Sequence, residues 1–248
     1  MVLADSLRAD ARQRIADQAG DPVLASFLDG LIRNAALEDI QRFTPEELAA
    51  LGGFVLARAK ARTAAAVFLV DALPGFARKE TVLVAINSDA PFLFDSLMGE
   101  VAAQGLSIRA VFHPIILIQD QATSIIVVVL DPVLDEERRQ SLLQGAEATF
   151  AQVRLAVQDW HAMQDALSAA VGELKSGRPG APEDHESEAL AFLEWLADDH
   201  FTFLGSRDYA YSSENGGVLN PVEGSGLGVR AHSGRFSLTR NAAGREVQ

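Results

Sequence analysis

The order of elements between residues 81 and 157 predicts an α+β fold of the ferredoxin-like βαββαβ kind, with a helical segment before it and a second α+β region after it. Three observations carry this. An apolar run at 81–87 enters the polar corner Asn87-Ser88-Asp89 and then an amphipathic stretch, so a strand gives way to a helix. Two further strand-like runs follow at 106–113 and 124–130, and a second helical stretch follows Asp131-Pro132. Finally, the first and third strands are apolar on nearly both faces, whereas the second and a fourth at 150–157 are half polar. Strands buried on both faces belong in the middle of a sheet, which predicts the order 4-1-3-2.

The elements read as follows. Residues 1–66 are helical: Asp21-Pro22 gives a cap with proline at the first helical position, and Thr44-Pro45-Glu46-Glu47 is a capping box. Leu48, Leu51, Val55 and Leu56 then recur at helical spacing. The alanine-rich stretch 57–66 suits close helix packing, and 67–73 reads as a short strand stopped by Pro74-Gly75. The first helix of the layer pair spans 91–104, with Phe94, Leu97, Met98 and Val101 on one face and Gly105 ending it. The second helix spans 135–148, and the fourth strand sets Val153, Leu155 and Val157 against Gln152, Arg154 and Ala156.

Two helices cover one face of such a sheet. The apolar residues of the other face, read as Leu83, Ala85, Ile125, Val127 and Val129, therefore need the N-terminal helices or a partner subunit. A helix at 160–174, a Gly/Pro-rich linker and an acidic-to-apolar helix at 187–199 follow. A strand at 201–211 and glycine-rich turns then lead to Phe236-Ser237-Leu238. The expected division is a helical segment at 1–66, a βαββαβ domain with its exit helix at 67–175, a linker at 176–186, and at 187–248 a second α+β domain cut short. The ending SLTRNAAGREVQ reads as part of something longer.

Composition bounds the chemistry. The 248 residues carry a formal net charge of −13, against a nucleic-acid partner and an anionic membrane surface. There is no cysteine, which removes disulfides and thiolate chemistry. The N-terminus lacks a signal-like apolar core and no run approaches a spanning length, so a cytoplasmic address is expected. His113, His161, His185, His200 and His232 are scattered without metal-ligand spacing, so no metal site is expected. Asp198-Asp199-His200 reads as a helix end rather than a catalytic cluster. Gly224-Ser225-Gly226-Leu227-Gly228 lacks the strand-before, helix-after setting of a dinucleotide loop and reads as a turn.

The corner at residues 87–92 is the candidate site. Free N–H groups at a helix start attract anions. Asp89 is also placed to cap that helix itself, which would fill the anion position. Alternatively, a ligand ammonium sits on Asp89 or Asp95 and its carboxylate on nearby backbone. Asn87, Ser88, Ser96 and Gly99 are the remaining members. Gly99, with Ala102 and Ala103, makes a small-residue stripe for close packing or for another backbone to approach.

The run SDAPFLFDSLMGEVAAQGLSIRAVFHP resembles the N-terminal region of the large bacterial NAD-specific glutamate dehydrogenases, where a D-x-P-F-L-x-D-S corner opens an ACT-type regulatory domain. WLADDHFTFLG at 195–205 and VRLAVQDW at 153–160 resemble the same family in the same order, so the likeness covers residues 78–230. Ser88 stands where an acidic residue is common, Ser206 where an aromatic is, and 67–78 is short for the family. The resemblance implies an ACT-like regulatory or assembly segment without catalytic residues or a cofactor of its own. It implies NAD in a parent enzyme that converts L-glutamate to 2-oxoglutarate and ammonium. It also implies the rest of that enzyme as partner, a homo-oligomer, and an amino-acid effector held near the corner by Asn87, Ser88, Asp89, Asp95, Ser96 and Gly99. Use of the module for oligomerisation alone is the competing reading. A stand-alone enzyme is disfavoured, because no catalytic constellation is visible.

Overall fold

A computed structural model describes residues 13, 22–33, 35–71, 76, 78–176, 183–212 and 218–231. The chain divides into two compact units, Met1–Phe150 and Ala151–Gln248.

The first unit opens with helices α1 (Pro22–Arg33), α2 (Leu37–Gln41) and α3 (Pro45–Ala61). The capping box is formed as the sequence predicts: Thr44 Oγ1 accepts from the Glu47 N–H at 3.2 Å, and the Glu47 carboxylate accepts from the Thr44 N–H at 3.0 Å. The chain then continues through β1 (Ala66–Val70), β2 (Thr81–Ser88), α4 (Leu93–Ala103), β3 (Ile108–Phe112), β4 (Ile115–Ile118), β5 (Gln121–Leu130) and α5 (Glu136–Gln158). Of the alanine-rich stretch expected to pack closely, only Ala59 is buried, and α3 ends at Ala61. Asp21, Pro74 and Gly75 lie outside the described residues.

The sheet is antiparallel in the order β1-β2-β5-β3, with β4 also paired to β5. The α+β, ACT-like class holds, with β2 and β5 central. The fourth strand does not. Residues 150–157 lie inside α5, and the edge beside β2 is taken by β1. The physical reason is a helical repeat: Leu142, Ala146, Phe150 and Val153 are buried at spacings of three and four, and this overrides the short alternation at 153–157.

The second departure is the β4–β5 hairpin. Strand 124–130 begins at Gln121 and pairs with the unforeseen β4 across a tight turn. Gln119 and Asp120 both hold positive φ there, 52° and 62°, the twist that a two-residue hairpin requires.

Face assignment also needs correction. Directly opposed residues of an antiparallel pair share a face, and the register sets Val82 against Val129, Val84 against Val127, and Ile86 against Ile125. These six form one core with Phe27, Leu28, Leu31, Ile32, Leu48, Leu51 and Val55 of the N-terminal helices. The N-terminal helices thus supply the predicted cover, but Leu83 and Ala85 lie on the other face, opposite Val128 and Ile126. There they share a layer with buried Leu93, Leu97 and Val101 of α4 and Leu142, Ala146 and Phe150 of α5. Each of the leucine, valine, isoleucine and phenylalanine side chains there contributes about 1.5–3 kcal/mol by leaving water.

The second unit contains α6 (Trp160–Lys175), α7 (Glu183–Trp195), a π-helical turn at Leu196–His200, and four short strands. These are β6 (Gly205–Ser206), β7 (Tyr209–Ser212), β8 (Val218–Pro221) and β9 (Leu227–Gly228), so the single strand expected at 201–211 is split in two. Among the described residues no helix is long and apolar enough to cross a membrane. Phe236-Ser237-Leu238 lies outside the described residues.

Candidate functional site

β2 runs out of the sheet at the corner. The Asp89 N–H donates to the Ala122 carbonyl at 2.8 Å, and the chain then turns through Pro91 and Phe92 into α4. Helix α4 starts at Leu93, later than the sequence implied. The residue before it, Phe92, is left-handed at φ 68°, and no side chain caps the helix. That corrects the expectation that Asp89 fills the anion position. Without a side-chain acceptor at the cap, the first-turn N–H groups lack a capping bond, and Asp95 is the acidic residue that the first turn itself carries.

Around this helix start the fold collects groups from three strands. Asn87 is 4% exposed, and its Nδ2 makes no hydrogen bond although it is buried. Asn87 stands directly opposite Ser124 on β5, so both side chains lie on the α4 face of the sheet. Ser124 Oγ is 2.8 Å from Nε2 of His113, and the His113 ring stacks on Phe94 of α4 at 5.1 Å and 10°. Burial holds His113 below its ordinary value, while the nearby carboxylates of Asp89 and Asp95 act in the opposite direction. Both carboxylates are exposed.

Of the predicted residues, Asn87, Asp89 and Asp95 are thus brought together with His113. Ser96 closes the first helical turn through its N–H to the Phe92 carbonyl at 3.0 Å. Ser88 is exposed and paired with Thr123, which accepts a 2.9 Å bond from Arg62 on the helical side of the sheet. By alternation it points away from the cluster. Gly99 is exposed with nothing within 4 Å of an added Cβ, so packing within the domain does not require it.

His113, Ser124 and Phe94 were not singled out from sequence. His113 reads as the last residue of an edge strand, and only the register of β3 and β5 reveals that it meets Ser124. The arrangement sets a buried amide donor, two exposed carboxylates and a stacked imidazole–phenyl pair around one helix start.

The glycine-rich run behaves as a turn into β9. A Cβ at Gly226 would lie 2.1 Å from the Arg230 carbonyl oxygen, and one at Gly228 2.3 Å from that of Leu204. Backbone oxygens lie where a Cβ would stand at both positions, so close backbone packing accounts for these two glycines. The side chains of Asp199, His200, His185 and His232 lie outside the described residues.

The layered sheet, its helix-opening corner and the covering N-terminal helices define an ACT-like α+β module. Residues 27–148 match the family model described as glutamate dehydrogenase, ACT1 domain. The chain is 30% identical over 181 residues to the NAD-specific glutamate dehydrogenase of Halomonas elongata, and 24% identical over 175 residues to that of Pseudomonas aeruginosa. Each match covers 62% of this chain and 11% of the relative, so the chain spans about a tenth of the length of the relatives it matches. This ACT region belongs to the NAD-specific glutamate dehydrogenase family.

Proposed function

We propose that the chain is the regulatory segment of an NAD-dependent glutamate dehydrogenase, and that the Asn87 corner senses an amino acid. The parent reaction would convert L-glutamate, NAD and water to 2-oxoglutarate, ammonium and NADH in the cytoplasm, with NAD held outside this segment. The segment itself takes no catalytic step. It tunes the reaction by binding an effector more tightly in one state of the enzyme than in another.

The observation that carries the reading is the buried Asn87 Nδ2 without an acceptor, set beside an uncapped helix start. An unsatisfied buried donor costs about 1–3 kcal/mol, and a ligand carboxylate would remove that cost. Asp89 and Asp95 stand where an ammonium would be received. Thermal midpoints of the chain against each of the twenty amino acids test this, with Asp89→Ala alongside. A ligand at about 100 times its Kd should add about 2.7 kcal/mol, or about 5–10 °C at this size. The shift should be selective and should shrink in the variant. Shifts absent for all twenty refute the sensing role.

A second reading, assembly without a ligand, draws on a different observation. Gly99, Ala102 and Ala103 are exposed on α4, and Ile108, Ile115 and Leu117 are exposed on the sheet edge formed by β3 and β4. Self-association of a chain that binds no amino acid would favour it over the first.

A further inference from the structure

We propose that the groove between α1 and the free edge of β4 binds an extended, acidic peptide strand. A cavity of about 950 Å³ lies there, bounded by α1, the end of α3 and β4, and it shares no residue with the Asn87 corner. Ligand cavities are usually roughly 300–1,000 Å³.

β4 lines the cavity with four residues in succession, Ile115–Ile118, and Gln119 follows them. Side chains of a strand alternate between two faces, so a cavity met by consecutive residues runs along the strand's edge. That edge is open. Among the described residues β4 pairs with β5 alone. The Ile125 N–H donates to the Pro114 carbonyl at 3.0 Å, and the register then sets Ile116 against Thr123 and Ile118 against Gln121. Bonded and non-bonded pairs alternate along an antiparallel ladder, so Ile116 and Ile118 turn their N–H and C=O towards β5. Ile115 and Leu117 turn theirs outward, and these two residues are 53% and 75% exposed.

The hydrogen-bonding groups select the class of ligand. Free N–H and C=O groups along an apolar edge are a template for another strand. A fatty acyl chain would cover these groups without bonding them, and buried backbone groups left unpaired are costly. A peptide strand bonds them, and its side chains on the helical side would meet Phe27, Leu56 and Ile116 of the same cavity. Charge selects an acidic peptide. Among the described residues that line the cavity the charged ones are Arg33 and Lys60, with no carboxylate, although the chain holds 34 Asp and Glu against 21 Lys and Arg. Arg33 is paired with Asp29 at 2.5 Å, whereas Lys60 makes no ion pair among the described residues. A second copy of this chain is the poorer occupant, because two formal charges of −13 repel.

An array of end-blocked octapeptides of random sequence, incubated with the labelled 248-residue chain, tests the proposal. Retained peptides should alternate apolar residues and carry Asp or Glu. Replacing that acid by its amide, or Lys60→Gln in the protein, should weaken the Kd by about tenfold or more. N-methylation of alternate peptide amides should abolish binding. Leu117→Pro removes one edge N–H at a place where an edge strand tolerates proline, and it should weaken binding as well. Lys60→Gln changes an exposed side chain and keeps the test readable if Leu117→Pro does not fold. Retention of no peptide overturns the proposal, as does equal binding of the N-methylated peptide. Dodecanoate bound more tightly than any peptide, and equally by Leu117→Pro, assigns the cavity to a lipid anion. Self-association lost in Leu117→Pro assigns the edge to a second copy, and peptide binding gained only on deletion of residues 1–20 assigns the groove to the chain's own N-terminal segment. Each of these three results overturns the proposal. No free amino acid enters the assay, so the reading of the Asn87 corner stands or falls separately.

Discussion

His113 lies flat on Phe94, with ring centroids 5.1 Å apart and planes 10° apart, and this contact ties the end of β3 to the first turn of α4. It matters because Ser124 Oγ also meets the imidazole, at Nε2, so one histidine joins two strands and the helix that opens the candidate site. The geometry of the corner therefore depends on the protonation of a half-buried ring.

The first prediction follows from that ring. Burial lowers the His113 pKa from its ordinary value of 6.5, and the carboxylates of Asp89 and Asp95 only partly oppose this. The unfolded chain then binds the proton more readily than the folded one. Stability contributed by neutral His113 is fully present above the ordinary histidine value and is lost as pH falls below it. Thermal midpoints between pH 5 and pH 8 should rise with pH, and the rise should be smaller in His113→Phe, which keeps the stack.

Gly52 and Gly99 should respond oppositely to alanine. A Cβ at Gly52 would stand 2.3 Å from Cδ2 of Leu28, which is fully buried between α1 and α3. Overpacking of that kind costs about 1–3 kcal/mol. Gly99 sits in the interior of α4 with open space around it, so Gly99→Ala should gain about 1 kcal/mol of helix stability. Urea unfolding of the two variants checks both signs.

Arg78 should matter more than Arg109. Arg78 bonds the buried Glu47 carboxylate at 3.0 Å, lies 3.5 Å from that of buried Glu80, and sits over the Phe43 ring at 5.2 Å. Arg42 also pairs with Glu80. Removing Arg78 leaves buried acids short of a partner, a loss on the order of 3 kcal/mol for such sites. Arg109 pairs with Asp131 at the surface, where solvent screening leaves an ion pair little to contribute. Chemical denaturation of Arg78→Met and Arg109→Met should separate by that margin. Equal losses would mean that the buried cluster is solvated.

Much of this architecture is legible in the sequence wherever one signal acts alone. β2 and β5 are continuous apolar runs, and the first turn of α3 carries its own capping box, so both follow from local chemistry. Residues 150–157 mislead because two periods overlap there. A three-residue alternation of valine and leucine sits on a longer helical repeat that begins at Leu142, and the longer repeat buries more. The β4–β5 turn is illegible for another reason. Gln119 and Asp120 adopt positive φ without the glycine or asparagine that would announce it.

The site was half visible. Asn87, Asp89 and Asp95 sit together in the chain around one helix start, and local reasoning finds them. His113 and Ser124 come from other strands, and only strand register places them beside Asn87. What local reasoning misjudged was the cap. The left-handed Phe92 ends the strand-side chain path so that the helix begins at Leu93, leaving Asp89 without a capping bond.

The most direct measurement is the affinity, by calorimetric titration, of the chain and of Asn87→Ala for the amino acid that gives the largest thermal shift. The variant removes a buried amide nitrogen that has no hydrogen-bond partner in the free protein, so no hydrogen bond of that nitrogen is lost by the substitution itself. A lost hydrogen bond to a ligand carboxylate is worth about 1.5–3 kcal/mol, so its Kd should weaken by about tenfold or more. The same Kd in both proteins, or heat from neither with any amino acid, would contradict the account.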